Sequence, residues 1–62
     1  DNIESYKKIN LLNLDLATKL NDSSAIANIN YGLGYSYSQS GKTDSAYYYY
    51  YNAQESLQAS LF

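Results

Sequence analysis

The sequence predicts an all-α fold in which three antiparallel helices follow one another in a helix-turn-helix arrangement. The chain of 62 residues contains no proline, the residue that most strongly interrupts helices. Apolar side chains recur at steps of three and four residues in three successive segments, which is the spacing of one helix face. Residues 21–22 and Gly41 separate these segments, because asparagine and glycine tolerate the left-handed conformation that ends a helix.

The first predicted helix covers residues 3–20, with Asn2 as its N-cap. One apolar face of this helix is formed by Ile9, Leu12, Leu16 and Leu20. A second apolar side is formed by Ile3, Leu11 and Leu14. The third helix and the Leu61–Phe62 end carry a similar excess of apolar residues. Since a surface helix at the end of a fold needs only one apolar side, we expect further repeats to flank this segment.

The second predicted helix covers residues 24–40. Asp22 or Ser23 is expected to cap its start, and Gly41 is expected to end it. Its apolar face is formed by Ile26, Ile29, Leu33 and Tyr37. This face is the predicted contact with the neighbouring helices.

The third predicted helix covers residues 44–60, with Thr43 as its N-cap and Asp44 in the first turn, where a carboxylate suits the helix dipole. Its apolar face is formed by Ala46, Tyr50, Ala53 and Leu57. An alternative is a β-strand over residues 46–51, because tyrosine favours strands. We prefer the helix, because no other segment has the pattern of a partner strand.

The first and third helices form an internal repeat. A shift of 41 residues places Ser5 on Ala46, Ile9 on Tyr50, Leu12 on Ala53 and Leu16 on Leu57. Residues 1–22 are therefore predicted to form the second helix of a preceding repeat plus a linker. Residues 23–62 are predicted to form one nearly complete helical hairpin. Stacked pairs of helices are the organisation of an α-solenoid.

Residues 27–60 resemble the tetratricopeptide repeat, a pattern of 34 residues spread over two antiparallel helices. The residues that carry the resemblance are Leu33, Gly34, Tyr37, Gly41, Ala46, Tyr50 and Ala53. The resemblance implies that Gly34 and Ala46 let the two helices approach closely, while Tyr37 and Tyr50 fill the space beside them. It also implies a role in binding other proteins.

Two positions depart from that pattern. Asn30 stands where the family prefers a large apolar residue, and Gln58 stands where proline is common. The residues from Ala17 to Asp22, followed by Ile26-Ala27, look like the linkers in repeat arrays of bacterial sensor and regulator proteins.

Composition excludes several classes of function. The four basic residues are all lysines and the net charge is −2, so the chain lacks the basic surface that nucleic acids or anionic membranes require. No apolar run approaches the ~20 residues of a membrane span. The chain begins with Asp1 rather than methionine, and we expect it to be a piece of a longer protein.

Catalytic and cofactor sites are not predicted. Histidine, cysteine and methionine are absent, which removes the usual ligands of zinc and haem and the common general base and nucleophile. Residues 40–43 match the end of a phosphate-binding loop, but Ser36 occupies the place of its first glycine. A helix end followed by a cap explains that segment, so we predict neither a catalytic residue, a metal site nor a cofactor.

One side of the second helix is predicted to bind a partner. It lies opposite the apolar face and is formed by Asn28, Tyr31, Tyr35, Ser38 and Gln39. The tetratricopeptide resemblance implies that this side lines a concave groove for a peptide or a helix. Tyrosine suits such a surface, since it offers a large area and a hydrogen-bonding tip at little entropic cost. The alternative is that Tyr31 and Tyr35 pack on a neighbouring repeat.

The functional prediction is a protein–protein interaction module, part of a larger tetratricopeptide-type array that binds a partner in bacterial signalling. The first alternative is a structural spacer that forms a homo-oligomer through its exposed apolar helix faces. The second is a regulatory arm of an enzyme whose chemistry lies elsewhere in the parent protein. The compartment stays open between bacterial periplasm and cytoplasm.

Overall fold

The computed structural model describes residues 2–61, apart from the side chain of Ile3. It contains three α-helices: α1 spans Asn2–Lys19, α2 spans Ser23–Gln39 and α3 spans Thr43–Ser60. The predicted all-α fold is therefore confirmed. The alternative strand over residues 46–51 is wrong, because these residues lie within α3. The expectations for the Ile3 side chain and for Phe62 fall outside the described part of the chain.

The second helix is the centre of the fold. Among residues 2–61, α2 packs against both α1 and α3, whereas α1 and α3 do not approach each other. The three helices form an elongated body with Cα extents of 36 × 20 × 11 Å. Helix α2 is therefore covered on two sides and open on others. No helix in this part of the chain is long and apolar enough to cross a membrane.

The two turns are closed in the same way. Asn21 and Gly41 have φ values of 53° and 76°, in the left-handed region that ends helices. Across the second turn the Lys42 N–H donates to the Tyr37 carbonyl at 2.9 Å, and the first turn has the corresponding bond at 3.0 Å. These bonds satisfy backbone groups that a helix end leaves unpaired, so each reversal is short and well defined.

The helix starts agree only in part with the sequence prediction. The Asp22 carboxylate accepts the Ala25 N–H at 3.1 Å, which confirms Asp22 as the cap of α2. The prediction of Thr43 as a cap is wrong, because α3 begins at Thr43 itself and Lys42 precedes it without a side-chain cap bond. Asn2 likewise lies within α1 rather than before it.

The core is built from small side chains. Leu33 is fully buried, and the other buried apolar residues are Ala17, Ala27, Ala46 and Ala53. Close contact between α2 and α3 depends on Gly34, where an added Cβ would lie 2.7 Å from the Tyr50 ring. The close approach expected at Gly34 is therefore present.

The predicted apolar face of α1 does not contribute to the core. Its members Ile9, Leu12, Leu16 and Leu20 are 58, 66, 57 and 69% exposed. The residues of α1 buried against α2 are instead Lys7 and Ala17. Periodicity identifies an apolar face but not the neighbour that covers it, and α2 occupies the opposite side of α1. Leu57 of α3 is also outside the core, at 43% exposed.

Lys7 is a buried charge that the sequence did not predict. Its ammonium group lies 3.3 Å from the Glu4 carboxylate, 3.0 Å from the Ser40 hydroxyl and 4.5 Å from the centre of the Tyr37 ring. Buried charges require such partners, since an unpaired ammonium would be strongly destabilising. Lys7 thus ties the start of α1 to the end of α2.

Three tyrosine rings contact one another in a row that starts at the ring beside Lys7. We call this row of Tyr37, Tyr49 and Tyr48 the aromatic ladder. The Tyr37 and Tyr49 rings stack at 5.3 Å with an interplanar angle of 1°. Tyr48 meets Tyr49 edge to face at 5.1 Å. Contacts of this kind add stability beyond the area they bury. The aromatic ladder therefore supplies packing between α2 and α3 that aliphatic residues supply in most cores.

Candidate partner-binding surface

The exposed side of α2 contains every residue predicted to contact a partner. All five side chains are exposed, and they point away from the buried Leu33: Asn28, Tyr31, Tyr35, Ser38 and Gln39. Helical geometry explains this grouping, because residues three, four and seven apart lie on one side of a helix. The structure therefore gives α2 one continuous surface of aromatic and polar groups.

A groove of about 410 Å³ lies along part of this surface, lined by Asn2, Tyr6, Tyr35, Ser36 and Gln39. We call it the tyrosine groove. Two of its residues, Tyr35 and Gln39, belong to the predicted set. Asn2 and Tyr6 come from α1, and sequence reasoning missed them because their contribution depends on how α1 packs on α2. The groove is therefore a feature of two helices rather than one.

Gly32 is the sequence feature that could have indicated how α1 packs on α2. A glycine inside a helix lowers stability by about 1 kcal/mol relative to alanine, so it requires an explanation. An added Cβ at Gly32 would lie 2.7 Å from the Tyr6 hydroxyl. Glycine at this position thus leaves room for the tip of Tyr6 against α2, where Tyr6 forms one wall of the tyrosine groove.

The opposite wall is held by a side-chain hydrogen bond. The Gln39 amide donates to the Tyr35 phenolic oxygen at 2.8 Å. This bond leaves the Tyr35 O–H as a donor and the Gln39 carbonyl oxygen as an acceptor for a bound molecule. Tyr35 is 59% exposed and Tyr6 is 47% exposed, so both rings present much of their surface to solvent.

The remaining predicted residues do not line the tyrosine groove. Tyr31 is 45% exposed, and its ring lies 6.2 Å from that of Tyr50, so it packs partly on α3 within this chain. Ser38 lines a smaller depression of about 160 Å³ beside α3. Asn28 lies roughly two helical turns before Tyr35. Only Tyr35 and Gln39 are brought together at the groove.

The chemistry of the tyrosine groove is that of a binding surface. Its five lining residues carry no charge at neutral pH. Two tyrosines on α3, outside the groove, have raised pKa values. Burial, followed by the neighbouring Tyr37 and Tyr48, raises the pKa of Tyr49, and a hydrogen bond to Glu55 raises the pKa of Tyr51. The groove therefore offers aromatic area and neutral hydrogen-bonding groups.

Comparison with protein-family models, with curated proteins and with solved structures found no match. The resemblance to the tetratricopeptide repeat thus stays a prediction from the sequence.

Proposed function

We propose that this chain is a protein–protein interaction module of the tetratricopeptide type, and that it binds an extended or helical segment of a partner. The observation that carries the proposal is the tyrosine groove on the exposed side of α2. Tyrosine rings beside an open, mostly apolar groove are typical of surfaces that bind other proteins. The linker resemblance of residues 17–22 supports a bacterial signalling protein as the parent.

The groove suits a peptide with little net charge. Tyrosine rings give a large contact area and lose little rotamer entropy when a ligand binds. The Tyr35 O–H and the Gln39 carbonyl oxygen can pair with the backbone of an extended segment, as the available donor and acceptor. A charged side chain would find no opposite charge among the lining residues. We therefore expect an aromatic or proline-containing segment to bind best.

The proposal that this chain is part of a larger array is supported by the exposed apolar face of α1. A shift of 41 residues maps Ile9 and Leu12 onto Tyr50 and Ala53. In α3 these two positions lie in the contact with α2, where Ala53 is fully buried and Tyr50 covers Gly34. The same face of α1 is therefore suited to a preceding helix that resembles α2.

The test is an affinity comparison with a peptide selected from a phage-displayed random library on this chain. Calorimetry should show at least a tenfold weaker affinity for Tyr35→Ala, because hot-spot aromatic residues contribute this much or more. Tyr51→Ala is the matched control, since Tyr51 is 63% exposed on α3, and it should bind like the wild type. Equal affinity of Tyr35→Ala and the wild type would remove the tyrosine groove from the proposal.

Self-association is the second candidate function, favoured by three aliphatic side chains of α1 and the following Leu20, each more than half exposed. A symmetric antiparallel pairing of α1 would place Lys8 of one copy beside Lys19 of the other, because both flank the apolar face on the same side. Like charges in contact oppose that pairing. Sedimentation equilibrium tests it: a dimer that Leu12→Glu dissociates would favour the spacer, and a monomer would count against it.

A further inference from the structure

A second groove lies on the other side of α2 from Tyr31 and Tyr35. It has a volume of about 330 Å³ and runs between α1 and α3 over α2, with a lining of Leu14, Thr18, Ile26, Asn30, Tyr48, Tyr49, Asn52, Glu55 and Ser56. We call it the Asn30 groove. Unlike the tyrosine groove, it contains a carboxylate, beside several amide and hydroxyl groups.

Asn30 is the unusual member of this lining. Its side chain is almost completely buried, with 3% of the residue exposed. Its Oδ1 atom is buried and accepts no hydrogen bond from any described residue. An unpaired buried acceptor lowers stability by about as much as a lost hydrogen bond, so its presence requires a reason.

The orientation of the Asn30 amide is fixed by α2. Its Nδ2 atom donates to the Ile26 carbonyl at 2.9 Å. The opposite orientation would place two acceptor oxygens against each other, so Oδ1 must be the atom directed away from the Ile26 carbonyl. A hydrogen-bond donor is therefore the complementary group. The oxygen is covered, so a bound donor can reach it only if a lining side chain moves outward.

Glu55 gives the same groove a negative charge. Its side chain is exposed and makes no ion pair with a described residue. Glu55 lies close enough to the Tyr51 phenol to raise the pKa of Tyr51. A carboxylate has several acceptor sites, so Glu55 can pair with a cationic donor. The donor that suits Asn30 is therefore best carried by a positively charged group.

The aromatic ladder shows how such a cation is accommodated. At one end of the ladder the Lys7 ammonium lies 4.5 Å from the Tyr37 ring. At the other end Tyr48 and Tyr49 line the Asn30 groove, and Tyr48 is 62% exposed. Aromatic faces attract ammonium groups, so the groove combines an amide acceptor, a carboxylate and aromatic faces.

We propose that the Asn30 groove binds a protonated primary amine on an alkyl chain, through Asn30, Glu55 and the Tyr48 ring. The amine can come from a free small molecule or from a lysine side chain of another protein. This site lies away from the tyrosine groove and does not depend on the proposed function.

The test is an NMR titration of the 62-residue chain with n-butylammonium chloride, and with 1-butanol as a neutral probe of similar length. We expect saturable shifts of the Tyr48 ring and the Asn30 amide with butylammonium, at a roughly millimolar Kd for so small a ligand. Butanol should give none. A lysine-containing tripeptide with blocked ends that binds more tightly indicates a protein side chain, and one that binds less tightly indicates a free amine.

Three variants complete the test. Glu55→Gln should weaken butylammonium binding about tenfold, since it removes a charged partner. Asn30→Leu should abolish the saturable response. Asp44→Asn, which removes an exposed carboxylate outside the groove, should have no effect. Equal responses to both probes, or equal losses in Glu55→Gln and Asp44→Asn, would overturn the proposal. So would an unresponsive wild type together with a more stable Asn30→Leu, the result for a groove that holds only water.

Discussion

Two glycines of α2 are predicted to respond in opposite directions to the same substitution. Gly34 and Gly32 both lie inside the helix, where alanine is intrinsically favoured by about 1 kcal/mol. At Gly34 an added Cβ would lie 2.7 Å from two atoms of the Tyr50 ring and 3.1 Å from its Cγ. At Gly32 it would meet only the hydroxyl tip of Tyr6, a side chain that is 47% exposed.

The magnitudes follow from how easily each neighbour can move. Tyr50 is held between the helices and meets the new methyl with one edge of its ring, so overpacking should lower stability by about 1–3 kcal/mol. That loss exceeds the helix gain, and Gly34→Ala should be destabilised by about 1 kcal/mol overall. Tyr6 can rotate outward, so Gly32→Ala should be stabilised by about 0.5–1 kcal/mol.

The assay is thermal unfolding followed by circular dichroism at 222 nm. In a domain of this size a change of 1 kcal/mol moves the Tm by roughly 4–8 °C. The two variants differ by more than about 1 kcal/mol in expected stability, so their Tm values should differ by more than this amount. Gly34→Ala in a Tyr50→Ala background is the control, because there the added methyl meets no ring and should stabilise. If Gly34→Ala melts above the wild type, the close approach of α2 and α3 at Gly34 is wrong.

Three further predictions concern caps, charge and titration. Asp22→Ala should lose about 1 kcal/mol of stability in urea unfolding, whereas Thr43→Ala should change it little, because Asp22 makes a cap bond and α3 starts without one. Lys7→Met should lower the Tm through loss of the Ser40 bond and the Tyr37 contact, and Lys8→Met, at an exposed position, should not. The raised pKa of Tyr49, caused first by burial, means that the folded chain binds more protons than the unfolded chain above about pH 10. The stability that Tyr49 contributes should therefore be fully present below about pH 10 and be lost as the pH rises towards the folded pKa. Tyr49→Phe should lose less stability over this pH range than the wild type. Equal loss in Tyr49→Phe and the wild type would contradict the prediction.

Local signals in the sequence were sufficient for the three helices, the two turns and the start of α2. Asn21 and Gly41 mark both turns, and Asp22 marks one helix start, because each acts on backbone groups a few residues away. The predicted cap at Thr43 is wrong by one residue, because α3 begins at Thr43 and Lys42 precedes it. Residue type alone did not decide between these positions.

Contacts between the helices were harder to predict from the sequence. The pattern on α1 correctly grouped Ile9 with Leu12, but it did not reveal that Lys7 and Ala17 form the side that meets α2. Burial of Lys7 depends on Ser40, which lies 33 residues away in the sequence. Such contacts depend on how the helices pack, and periodicity within one helix carries no information about it.

In the candidate site, too, features within one helix could be predicted and contacts between helices could not. The exposed side of α2 followed from helical spacing, so its residues were correctly placed together on one side of the helix; their binding role stays a prediction. The tyrosine groove did not follow from that spacing, because Tyr6 reaches it from α1. Gly32 held the missing information: its lack of a side chain is explained once Tyr6 is seen beside it.

The most direct test of the proposed binding role is NMR mapping of the library-selected peptide on the ¹⁵N- and ¹³C-labelled chain. The account predicts the largest shifts at the Tyr6 and Tyr35 rings and at the Gln39 side-chain amide, with little change at Leu12 and Leu16. Shifts concentrated on Leu12 and Leu16 instead would show that the apolar face of α1 is the binding surface, and would contradict the assignment of that role to α2.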